Sequence, residues 1–125
     1  MIYPITPVPK PRMTRSDRWK KRPAVVRYWN FCDQIRQNDV KLPVFGAVVV
    51  FNLPMPWSWN TKKRQAHNGK PHQQRPDLSN LLKALEDACY GEDCCIWHYA
   101  AVEKRWAVDG SISIETSPEA QNSTI

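Results

Sequence analysis

What the chain lacks narrows its class first. No apolar run exceeds the eight residues from Val44 to Phe51, far short of the roughly 20 that a membrane span needs. Met1-Ile2-Tyr3-Pro4 does not open a signal peptide, so no membrane or secreted protein is expected, and the cytoplasm is the predicted compartment. Cys32, Cys89, Cys94 and Cys95 are too few and too unevenly placed for a disulfide framework and read as reduced thiols. There is no Gly-rich phosphate loop, no nucleophilic triad and no internal repeat. Acid is scarce over most of the chain, with 3 acidic against 15 basic side chains in residues 1–75.

What is present then takes shape. A chain of 125 residues with 42% hydrophobic side chains is sized for one core and one domain. Residues 1–75 carry +12 and residues 76–125 carry −6. So positive a field draws in a polyanion such as nucleic acid. A pure binder gains nothing from carboxylates beside that ligand, whereas an enzyme cutting phosphodiesters needs them to hold Mg²⁺.

Prolines at 4, 7, 9 and 11 exclude a central strand and leave an edge strand or extended arm, which turns basic through Lys10, Arg12 and the cations up to Arg22. Solvation of that arm and phosphate contact are equally open readings. Val25, Tyr28, Trp29, Cys32 and Ile35 mark one face of a helix over about 24–37. Residues 43–51 are apolar on both faces, as in a central strand covered on two sides. Residues 53–76, with Pro54, Pro56, Pro71 and Pro76, show no periodicity and predict a long loop. Leu78, Leu81, Leu82, Leu85 and Ala88 predict a second helix, stopped at Gly91. Residues 96–106 read as a strand, and the alternation over 111–115 after Asp109-Gly110 predicts a hairpin partner for it.

The segment Arg75-Pro76-Asp77-Leu78-Ser79-Asn80-Leu81-Leu82-Lys83, with Asp87-Ala88 later on the helix and Glu92-Asp93 before the next strand, resembles the signature of RusA-type Holliday junction resolvases. These are small endonucleases often encoded by phages. The resemblance implies an α/β fold of the α+β type, with helices packed on a small mixed sheet. It implies one domain over 1–116 with a basic N-terminal arm, followed by a flexible tail over 117–125. It further implies a homodimer acting in DNA recombination and repair, in the host cytoplasm if phage-encoded. Such a dimer nicks four-way DNA junctions in pairs with Mg²⁺, or Mn²⁺ as the alternative ion, and uses no small-molecule cofactor. Carried over by position, Asp77 is the first metal carboxylate, Lys83 the active-site lysine and Asp93 the later metal carboxylate. Ser79 stands where the family usually has a second aspartate. A neutral hydroxyl there weakens the hold on Mg²⁺ unless water or Glu92 fills the gap.

If residues 75–79 are extended, Asp77 and Ser79 share a side, and Lys83 leans back towards them from the first turns of the helix. Asp87 lies about 12 Å further along the axis and is read as structural or as a dimer contact. Asp93 reaches back only if the five residues after Ala88 extend fully, about 17 Å, or else it meets the site across a dimer. For Asp77 the plain alternative is a helix N-cap.

Lys10, Arg12, Lys62, Lys63, Arg64, Lys70 and Arg75 are the candidate phosphate contacts. Trp57 and Trp59 are read as core, with base stacking the alternative. Cys94-Cys95 and His98 lack the spacing of a zinc knuckle, so the thiols near the helix end are read as buried. His67 and His72 are read as solvated loop histidines, with proton transfer the minor reading. Two rival functions remain at this level: a junction binder that no longer cuts, with Ser79 as the lesion, and a basic single-strand nucleic-acid module in which Asp77 is only a cap.

Overall fold

The computed structural model describes residues 1–12, 22–91 and 95–118. Seven elements appear: β1 (Ile2–Tyr3), α1 (Pro23–Gln37), β2 (Ala47–Pro54), α2 (Thr61–His67), α3 (Leu78–Tyr90), β3 (Tyr99–Ala107) and β4 (Ser111–Thr116). The strands form one mixed sheet in the order β1-β4-β2-β3, an α+β architecture. Among the described residues no helix is long and apolar enough to cross a membrane.

β2 is the centre of the sheet because it pairs along both edges, parallel to β3 and antiparallel to β4. The predicted hairpin is therefore wrong. β3 and β4 lie on opposite sides of β2, and the Asp109-Gly110 turn carries the chain over it. Local turn chemistry favoured direct pairing, but an apolar strand with two bare edges takes both neighbours. The expectation that β2 is covered on both faces also needs correcting. Ala47, Val49, Phe51 and Leu53 are buried under the helices, while Val48, Val50 and Asn52 stay half-buried on the other face.

Pro23 opens α1, where its missing N–H costs nothing. The buried face is Val25, Tyr28, Phe31 and Ile35. Trp29, expected on that face, is 42% exposed, and Phe31 takes its place. At about 100° per residue, Trp29 falls roughly 100° from the centre of the arc while Phe31 falls within it. α3 buries Leu81, Ala84 and Leu85. Both helices pack on the inner face of the sheet, and burying each of Phe31, Phe51, Leu81 and Leu85 contributes about 1.5–3 kcal/mol.

Residues 1–12 are built into the fold, whereas Arg15, Arg18, Lys20 and Lys21 of the basic arm, for which solvation and phosphate contact are both open readings, lie outside the described residues. β1 pairs with β4, and Tyr3 and Ile5 enter the core. The Lys10 backbone N–H donates to the Asn80 carbonyl at 3.3 Å, and the Lys10 ammonium pairs with Asp87 on α3. These two side chains are only 26% and 16% exposed, so removing one strands a partly buried charge. Asp87→Ala is expected to lower unfolding free energy by about 1–2 kcal/mol in urea titration. A change under about 0.3 kcal/mol would mean that the pair does not hold the arm. At the other end, Ser117 donates its N–H to the Gly46 carbonyl, so that residue is tied to the sheet.

Candidate active site

The approach to α3 is stitched to the outer edge of β3. Gly69 N–H donates to the Trp106 carbonyl, Trp106 N–H to the Lys70 carbonyl and His72 N–H to the Lys104 carbonyl, at 2.8, 3.0 and 3.0 Å. The Arg105 guanidinium reaches the Gly69 carbonyl at 2.7 Å. Lys104 then braces the last stretch, its ammonium donating to the Gln74 carbonyl and, at 2.7 Å, to the Pro76 carbonyl. The Arg75–Pro76 peptide is cis. Lys104 pairs in register with the buried Phe51, so its stem lies on the inner face between Val102 and Trp106. A lysine at that alternation is the one sequence signal that could have revealed the brace, since its ammonium must find oxygen acceptors.

This scaffold delivers Asp77 to the N-cap of α3, with φ −66° and ψ 143°. Its carbonyl accepts from Asn80 and Leu81 N–H, each at 3.1 Å, but its carboxylate makes no capping hydrogen bond. The plain N-cap reading thus accounts for the backbone and leaves the side chain over. That side chain is exposed and has no ion-pair partner among the described residues. Exposed, uncommitted carboxylate oxygens suit a hard divalent cation.

The extended run through residue 79 is not observed. α3 begins at Leu78, so Ser79 sits in its first helical turn and does not alternate with Asp77. Only Asp77 is extended, after a bend at Pro76, while Leu78 already packs against the core, which is what starts the helix early. Ser79 shares a helix face with Lys83, and both are exposed. Asp93, with Glu92 and Cys94, lies outside the described residues. The nearest described residue before it, Gly91, is the C-cap of α3, a helix of 13 residues and about 20 Å. Among the described residues no three His, Cys, Asp or Glu side chains gather into a metal-holding group.

The cation set divides. Lys62 and Lys63 are exposed on α2, a helix missed in the predicted loop because it buries nothing and so has no apolar period. Its start is fixed by Asn60, whose side chain accepts from Lys63 N–H at 2.8 Å. The Lys63 ammonium lies 4.3 Å from the Trp59 ring centre. Arg64 donates from Nε and Nη2 to the Trp59 and Pro56 carbonyls at 3.2 and 3.0 Å, and the Lys10 ammonium pairs with Asp87, so both are engaged within the chain. Arg12, Lys70 and Arg75 remain exposed. Trp59 packs on His67 and Trp106, whereas Trp57, read as core, is 90% exposed. Cys95, read as buried, is also exposed.

Beside Asp77 opens a cavity of about 890 Å³, walled by Leu53, Pro54, Pro56, Trp106, His72 and Arg75. His72, expected to be solvated, is 5% exposed and packs at a tilt against Trp106, ring centres 4.1 Å apart, a partner remote in sequence. Burial, helped by the Lys104 charge, pushes the His72 pKa below its ordinary 6.5. The fold therefore favours neutral imidazole. Its contribution to stability is complete above about pH 6.5 and is lost as pH falls through the lower folded value. Wild type is expected to lose melting temperature between pH 7 and 5 more steeply than His72→Phe; parallel curves would refute this assignment.

Comparison with known proteins adds one result. Residues 4–116 match the family described as endodeoxyribonuclease RusA. No curated protein and no solved structure matches the chain.

Proposed function

Since this chain belongs to the RusA endodeoxyribonucleases, nucleases that resolve Holliday junctions, we propose that it nicks four-way DNA in pairs as a Mg²⁺-dependent homodimer, with Asp77 at each centre. The observation that carries this reading is the Asp77 carboxylate, exposed, released from capping and lining one cleft with Arg75 and His72.

Asp77 and Asp93, with the Ser79 hydroxyl as a weak neutral donor, form an all-oxygen set that fits Mg²⁺ or Mn²⁺. The bound ion supplies Lewis acidity at the scissile phosphate. Lys83, one face of α3 away, stabilises charge developing on the phosphate or the leaving oxygen. Arg12, Lys62, Lys63, Lys70 and Arg75 hold flanking phosphates and set the register of the strand. The length of α3 between Asp77 and the neighbours of Asp93 favours a centre composed of Asp77 from one protomer and Asp93 from the other. Two such centres on a two-fold axis meet a two-fold junction. The site of action is the cytoplasm.

A synthetic four-way junction tests substrate, metal and chemistry together. Paired nicks are expected with Mg²⁺, and bound but intact junction with EDTA; equal cutting of plain duplex, or none of the junction, would overturn the reading. Ser79→Asp restores a charge and is expected to lower the Mg²⁺ needed for half-maximal nicking by about tenfold.

A further inference from the structure

The cavity beside Asp77 is far larger than a phosphate oxygen requires, and most of its wall is apolar: Leu53, Pro54, Pro56 and Trp106. Its polar members are Thr6, His72, Gln74, Arg75, Asp77 and Asn80, of which His72 alone is buried. The Nδ1 of His72 faces the Gln74 backbone N–H at 3.5 Å, which leaves the proton on Nε2. No described residue accepts from Nε2. Yet the described side chains include no fully buried nitrogen or oxygen without a partner, so this N–H opens onto the cavity that His72 lines. A side chain 95% hidden, with one unused donor turned to a cleft walled by Trp106, Leu53 and prolines among polar neighbours, is matched to a flat ligand that carries an acceptor on its edge.

We propose that the cavity receives one unstacked nucleobase of the branched DNA, seated against Trp106 and the Pro54–Pro56 rim, with His72 Nε2–H donating to an acceptor on its edge. The substrate follows from the nuclease reading above; the subsite itself does not. Bases at a strand crossing are the cheapest in the duplex to unstack, and a nucleotide whose phosphate sits at Asp77 has its base within reach of the cavity. Trp57 follows rim residue Pro56, is 90% exposed and can fill the gap the base leaves.

The test uses binding in EDTA, so that it reads nothing from cleavage. Four-way junctions carry 2-aminopurine at each nucleotide next to the crossing in turn. One position is expected to change its fluorescence severalfold on binding wild type and not on binding His72→Phe, which fills the space and removes the donor. Making that nucleotide abasic is expected to weaken wild-type binding about tenfold. If no position responds, or if the abasic junction binds as tightly as the intact one, the subsite is refuted. Because the abasic change is in the DNA, the wild-type arm decides even if His72→Phe fails to fold. Nicking of intact junctions in Mg²⁺ reports separately on the nuclease reading, so either proposal can fail alone.

Discussion

An Asp77→Asn protein is expected to bind a four-way junction at least as tightly as the parent and to nick it at least about 10³-fold more slowly in Mg²⁺. The substitution removes one charge with almost no change of shape. Asparagine caps helices as well as aspartate does, and the carboxylate of Asp77 makes no capping bond to lose. Unfolding free energy should therefore move by only a few tenths of a kcal/mol, and a lost rate can be assigned to chemistry rather than to a broken helix. Deleting a negative charge beside DNA phosphates favours association if anything. Gel shifts in EDTA, single-turnover nicking in Mg²⁺ and urea unfolding on one preparation give the three readings. Were Asp77 only a cap, all three would match wild type.

Mixing two dead proteins should restore activity. If each centre joins Asp77 of one protomer to Asp93 of its partner, a heterodimer of Asp77→Asn and Asp93→Asn has one doubly damaged centre and one intact centre. Equal mixing makes about half the dimers hybrid, so roughly a quarter of all centres recover, against a background lowered about 10³-fold in either variant alone. The recovered product should be single nicks, because the second centre of each hybrid is empty of carboxylate. If both acids acted within one chain, every centre in the mixture would carry a lesion and no activity would return. The 13 residues of α3 between the two ends are the reason to expect the first outcome.

Legibility in the sequence followed how local each signal was. α3 could be read because its leucines repeat with the helical period and its burial follows that period. The central place of β2 followed from its apolar, β-branched run. α2 was invisible because nothing on it is buried; the weaker clue was Asn60 three residues before Lys63. The partner of β4 was misread because a turn signal reports on neighbours in sequence, while pairing was decided by the bare edge of β2. At the site, the motif singles out Asp77 as a candidate, and its place at the N-cap of α3 was legible as well. The burial of His72 was not, since it depends on Trp106 from a strand more than 30 residues later. The loss of Lys10 to Asp87 was equally hidden, because a charge count does not say which cations are already spent.

The sheet closes through its ends. Ile2 lies opposite Ser113 and Tyr3 opposite Ile112, so the first strand has no partner until the last one exists. During synthesis the segment that supplies Thr6, Pro7 and Pro9 to the wall beside Asp77 must wait for β4 to leave the ribosome. A chain stopped anywhere before β4 would therefore leave two raw strand edges and an unfinished cleft. The wall beside Asp77 is then complete only once β4 has paired, so the cleft and the closing of the sheet are one event.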